Sequence, residues 1–106
     1  MTNIILIETK EHEGDKLYKY AAGRYQVRKV DHACGYTSIE VIPTDRSDRY
    51  LPEIYARSNI EDNAPYAFEV QTTSYGALPT EELQKVIANL QEASEIAQAL
   101  TKMFVK

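Results

Sequence analysis

One stretch constrains this chain more than any other. Between residues 80 and 104, Leu83, Val86, Ile87, Leu90, Ala93, Ala97, Leu100 and Phe104 recur every three or four positions. That spacing puts side chains on one face of an α-helix. At ~1.5 Å per residue such a helix runs ~36 Å, enough to cross a whole small sheet. Thr80 is the expected N-cap, and Glu81 and Glu82 fall in the first turn, where the helix dipole favours anions. Glu81 and Lys85 add a supporting i,i+4 pair. A helix with one apolar stripe needs a surface to cover, and the rest of the chain must supply it.

The rest reads as strands and turns. NIILIE (3–8), KLYKYA (16–21), RYQVRKV (24–30), YTSIEVI (36–42), EIYAR (53–57) and YAFEVQTT (66–73) are short runs rich in β-branched and aromatic residues. A two-residue turn at Ala22-Gly23 would pair Tyr20 with Tyr25, Tyr18 with Val27 and Lys19 with Gln26. Tyr18, Tyr20, Tyr25 and Val27 then share one face, and Lys19, Arg24, Gln26 and Arg28 the other. Ile39, Val41, Tyr66, Phe68 and Val70 alternate with polar neighbours in the same manner. Alternation of this kind marks an antiparallel sheet with one buried face. The expected fold is α+β: an antiparallel meander of five to six strands, with one long C-terminal helix packed on one face and residues 1–106 forming a single domain.

Charge and composition narrow the function. The net charge is −4, with residues 1–50 balanced at eight acidic and eight basic side chains and residues 51–106 at eight acidic against four basic. A net acidic chain lacks the footprint of a general DNA binder. The N-terminus does not read as a signal peptide, no apolar run approaches bilayer length, and Cys34 is the only cysteine. The expectation is a cytoplasmic protein without disulfides.

No motif nominates a catalytic, cofactor-binding or metal-binding residue. Asp31-His32-Ala33-Cys34 is the most reactive-looking tetrapeptide, but two histidines (His12 and His32) and one cysteine fall short of a four-ligand zinc set. A Cys34–His32 nucleophile pair lacks a third orienting group, and the plainer account is a turn with a partly buried thiol. The hydroxyl-rich QTTSYGALPT, 71–80, could hold an anion at a helix N-terminus. Glu81 and Glu82 would repel one, so the stretch is expected to be a joint between strand and helix. Lys19, Arg24 and Arg28 make a basic face for a nucleic-acid alternative. The tyrosines are expected on the opposite face, where they cannot interleave with those cations. A second alternative is an enzyme whose site forms at a subunit interface.

Contact surfaces are the remaining candidates. Tyrosine is over-used, eight against two Phe and no Trp, which is explained either by a Tyr-rich core or by recognition. Tyr50, with Arg46 and Arg49 in the charged loop DRSDRY, is the expected contact point. On a helical wheel Ile96 and Met103 lie roughly 100–120° from the centre of the core stripe. With Ala99 beside them they nominate a flank for a homodimer, as do Leu17, Val30 and Ile42 on the outer sheet face and the run in which Ile4 with Leu6, and Ile5 with Ile7, cannot all face one core. The rival account is a bulge or one-residue slip that turns Leu17, Val30 and Ile42 inward. The leading expectation is therefore a non-enzymatic protein-interaction module without cofactors, acting on a protein partner.

One resemblance bears on the setting. FEVQTTSYGALPTEELQKVIANLQEASEIAQALTKMF, together with the opening NIILIETK, resembles small uncharacterised proteins carried by prophages and conjugative elements of Gram-positive bacteria. These have a strand ending in Q-T-T-S, an aromatic residue and a glycine, then a helix beginning near T/S-x-E-E. The resemblance implies a mobile-element accessory protein and carries over no catalytic residue.

Overall fold

The computed structural model describes residues 3–59, 64–72 and 74–105. Its element order is β1 (Ile4–His12), β2 (Asp15–Ala22), β3 (Tyr25–Asp31), β4 (Thr37–Pro43), β5 (Ile54–Asn59), β6 (Ala64–Val70) and α1 (Thr80–Phe104). The fold is α+β, as expected, but the strands divide into two sheets. β1-β2-β3-β4 form an antiparallel meander, and β5-β6 form a separate two-stranded ribbon. Pro43 ends β4 opposite Tyr25, where a residue without an N–H suits a strand terminus. Tyr66 lies in β6 as expected; its expected side-chain face and the placement expected for Thr73 lie outside what is described.

Turn chemistry sets the meander. Glu13 and Gly14 both have positive φ, 49° and 88°, and link His12 to Asp15, the pattern of a type I′ hairpin turn. The next turn falls at Gly23-Arg24, one residue later than expected. Ala22 therefore pairs with Tyr25, Tyr20 with Val27, Tyr18 with Lys29 and Lys19 with Arg28. Gly23, at φ 58°, supplies the conformation that turn requires. The pairing slips by two residues, so every side chain keeps its expected face. Only Arg24 changes role, from a strand position to the turn itself.

The core is gathered at this end of the sheet. Tyr20, Ala22, Tyr25, Val27 and Val41 are buried beneath Ala93, Ile96, Ala97 and Leu100 of α1, with Ile54 and Phe68 from the ribbon closing the side. Buried positions are absent from β1 and from the Lys16–Asp31 end of the β2–β3 hairpin among the described residues. This explains the elongated shape, 51 × 29 × 22 Å. The radius of gyration is 15.3 Å, against roughly 13 Å for a compact domain of this length. Leu17, Val30 and Ile42 do lie on the outer face, half-buried there. β1 carries a bulge between Leu6 and Glu8.

The helix has its expected bounds but is rotated about its axis. Ile96 is fully buried, whereas Leu83 and Ile87 are 45% and 50% exposed. The buried set Val86, Asn89, Ala93, Ile96, Ala97 and Leu100 is centred roughly 40–50° from the expected stripe, taking 100° per residue. Ile96 is thereby corrected from a flank residue to a core residue, while Met103 remains 48% exposed. The N-terminus is corrected too. Pro79 is the N-cap and no side chain caps the helix. Thr80 is the first helical residue, and the Leu83 amide donates to the Pro79 carbonyl at 2.9 Å.

Candidate interaction surfaces

The rotation of α1 has a cause in the Gly23-Arg24 turn. Because Arg24 occupies the turn, its side chain projects past the sheet edge onto the helix. Its Nη2 donates to Asn89 Oδ1 at 2.5 Å, its Nε donates to Glu92 at 2.9 Å, and its Nη1 donates to Asp48 Oδ2 at 2.8 Å. Asn89 Nδ2 donates to the same Asp48 oxygen at 3.1 Å. Asn89 is the one buried polar residue among those described. It is fully satisfied only with its face turned toward Arg24, and burial without partners would cost ~1–3 kcal/mol. Turning Asn89 inward brings Ile96 in and turns Leu83 and Ile87 out.

Electrostatics reinforce the clamp. Hydrogen bonding to Glu92 raises the Arg24 guanidinium above its usual range, against the cost of partial burial. Burial pushes the Asp48 carboxyl up, but hydrogen bonds from Arg24, the Tyr50 amide and Asn89 outweigh it and hold Asp48 below the usual carboxylate range. Tyr25, beneath the clamp, donates its hydroxyl to the Pro52 carbonyl, and burial raises its phenol. The clamp joins the β2–β3 turn, the 44–52 loop and the helix. Asp48, Asn89 and Glu92 all accept from Arg24, and Asn89 also donates to Asp48, so the clamp is a structural tie.

The three cations of the basic-face alternative are each engaged. Lys19 pairs with Glu8 at 3.1 Å, Arg28 lies 3.8 Å from Glu40, and Arg24 is in the clamp. They do not form one continuous positive surface. The outer-face depression of about 220 Å³ beside them is lined by both signs, Glu8 with Lys10, Lys19 and Arg28.

The charged loop folds inward at its end. Tyr50 is 5% exposed, which corrects its expected role as an exposed contact. Its ring meets Tyr75 edge-on at 5.2 Å, the Arg49 guanidinium lies 4.7 Å over its face, and Arg49 Nη2 donates to its hydroxyl at 2.5 Å. Tyr75 comes from the hydroxyl-rich stretch, so that stretch does serve as a joint, fastened by an aromatic pair. Arg49 is exposed, as is Arg46. Arg46 lines a groove of about 210 Å³ between β4 and β5, with Glu53 and Tyr55.

The 31–36 turn brings a serine, a histidine and an aspartate into line. His32 Nε2 is 3.1 Å from Ser38 Oγ, and His32 Nδ1 is 3.8 Å from Asp15 Oδ2. The second distance is beyond hydrogen-bond length, and Asp15 Oδ1 accepts from the Ala33 amide at 2.8 Å. Asp15 therefore ties the turn to β2 and does not orient the imidazole, which stacks on Tyr36 at 5.2 Å. Cys34 is exposed, not partly buried as expected, since the turn ends beyond the core. No group of three or more His, Cys, Asp or Glu among the described residues is arranged to hold a metal ion. No helix among them is long and apolar enough to cross a membrane.

Two apolar surfaces remain uncovered. Ile5, Leu6 and Ile7 are 57%, 51% and 55% exposed in sequence along β1, which hydrogen-bonds to β2 alone among the described strands. Leu83 and Ile87 make the second, on α1. A run of exposed apolar residues on a sheet edge is the pattern that natural proteins suppress unless it is used. Sequence periodicity showed that Ile4 with Leu6 and Ile5 with Ile7 could not all face one core, but not that β1 is a sheet edge, and it missed the helix surface because the rotation depends on Arg24. Comparison of the chain with protein-family models, curated proteins and solved structures found no match.

Proposed function

We propose that this protein is a non-enzymatic interaction module that captures an extended segment of a partner protein along β1. The observation that carries this is the uninterrupted exposure of Ile5, Leu6 and Ile7 on an edge that is unpaired among the described strands. Strand addition at such an edge draws affinity from main-chain hydrogen bonds and specificity from alternate side chains. The bulge after Leu6 interrupts the edge ladder, which suits capture of one short segment and opposes open-ended sheet growth. An accessory role in a prophage or conjugative element fits the resemblance of residues 68–104 and 3–10. A cytoplasmic setting fits the free, exposed thiol of Cys34. The reading includes a homodimer, so that each assembly presents two such edges.

The test is differential affinity capture from bacterial cytosol with the wild-type chain and with Leu6→Lys combined with Ile7→Lys. Both residues are more than half exposed, so the variant should fold, which circular dichroism would verify. A stoichiometric partner held by the wild type and lost from the variant supports the proposal. Equal capture by both, or capture by neither, overturns it.

A further inference from the structure

Rotation of α1 leaves a second stripe beside the buried face. Leu83, Ile87, Leu90, Ser94, Ala97 and Thr101 are spaced alternately four and three residues apart, the a/d repeat of a coiled-coil seam. Leu83 and Ile87 stand out as a ridge, 45% and 50% exposed, while Ala97 is 6% exposed. The C-terminal half of the seam lies in a groove of about 450 Å³ between α1 and Phe68 and Val70 of β6. The seam is thus convex and large at one end, concave and small at the other.

We infer that this seam joins α1 antiparallel to α1 of a second copy of the chain. An antiparallel two-fold sets Leu83 opposite Thr101 of the second copy, Ile87 opposite Ala97 and Leu90 opposite Ser94. Every layer then matches one large side chain with one small one, and the ridge of each copy enters the groove of the other. A parallel pairing would set ridge on ridge and groove on groove, leaving a void. An isologous contact of this kind is self-complementary by construction.

Charge singles out the same surface. Gln84, Gln91 and Gln98 run along the exposed flank of the seam at seven-residue intervals, and the two-fold brings these flanks together. Neither seam nor flank carries a charged side chain between residues 83 and 101; Glu95 borders the flank and Lys102, four residues beyond Gln98, lines the groove, whereas Glu81, Lys85 and Glu92 lie on the far side of the helix wheel. For a chain of net charge −4, a seam with no acidic side chain from Leu83 to Thr101 lets two copies meet without like-charge repulsion. Depletion of charge is also the compositional mark of an interface core. This inference names a second copy as one partner of the interaction module, and it uses a face distinct from β1.

Light scattering after size exclusion should give twice the 12.1 kDa chain mass at tens of micromolar protein. Ile87→Glu should return the single-chain mass with an unchanged circular dichroism spectrum. Orientation is read in a Cys34→Ser background with a short bis-maleimide. Gln91→Cys, near the axis, should crosslink into a covalent dimer, and Glu81→Cys, at the helix end, should not. A wild-type mass of 12.1 kDa, a dimer that survives Ile87→Glu, or crosslinking through both cysteines would each overturn the inference. A single-chain mass removes the homodimer from the proposed function but leaves partner capture by β1 intact, so the two proposals fail distinguishably.

Discussion

Arg24 and Asn89 meet at 2.5 Å although 65 positions separate them in sequence. The contact fixes which face of α1 lies on the sheet. Asn89→Ala removes one acceptor from Arg24, which keeps Glu92 and Asp48, and one donor from Asp48, which keeps Arg24; losing two hydrogen bonds to charged groups in a part-buried site should cost about 1–3 kcal/mol. Arg24→Lys should recover little of the loss caused by Arg24→Ala, because one ammonium cannot span three acceptors held by a guanidinium fork. Urea titrations of the four chains measure both effects.

The acid limb of stability should depend on Asp48. Its folded-state carboxyl sits below its ordinary value of 3.8. The stabilisation is therefore fully present above that value and is lost as pH falls through the folded one. Asp48→Asn removes the titrating group. Its stability should change less with pH than the wild type's below about pH 5. Parallel acid slopes for the two chains would show that Asp48 is not the group responsible.

Core placement on α1 gives a contrast. Ile96→Ala empties a fully buried site and should cost about 2–5 kcal/mol. Leu83→Ala, at a 45% exposed position, should change stability by no more than about 0.5 kcal/mol when measured at high dilution. Thermal melts at a single low concentration make the comparison.

The helix start gives another. Thr80 makes no capping hydrogen bond, so Thr80→Ala should stay within about 0.5 kcal/mol, below the ~1 kcal/mol of a lost cap. A larger loss would place the cap at Thr80.

Helix bounds, strand sites and side-chain faces were legible because each depends on residues near in sequence. The hairpin illustrates why faces survive even when pairing does not. Moving the turn from Ala22-Gly23 to Gly23-Arg24 shifts Tyr20 from Tyr25 to Val27, and an even shift preserves the face. The rotation of α1 was not legible, since Asn89 counts as polar in any periodicity. Its inward turn becomes favourable only when Arg24 and Asp48 arrive from distant segments. Tyr50 was misplaced for the same reason: its burial depends on Tyr75, which lies beyond both strands of the ribbon. The triplet Ile5-Leu6-Ile7 could be read as apolar, but the edge position of β1 belongs to strand order.

The clamp has a kinetic corollary. Arg24 reaches Asp48, Asn89 and Glu92 across 24, 65 and 68 positions of sequence, so it can close only after the β2–β3 hairpin has formed and α1 has docked. Interactions absent from the folding transition state act chiefly on the rate of leaving the native state. Arg24 is therefore a latch against opening: its removal should shorten the native lifetime while leaving the speed of folding nearly untouched.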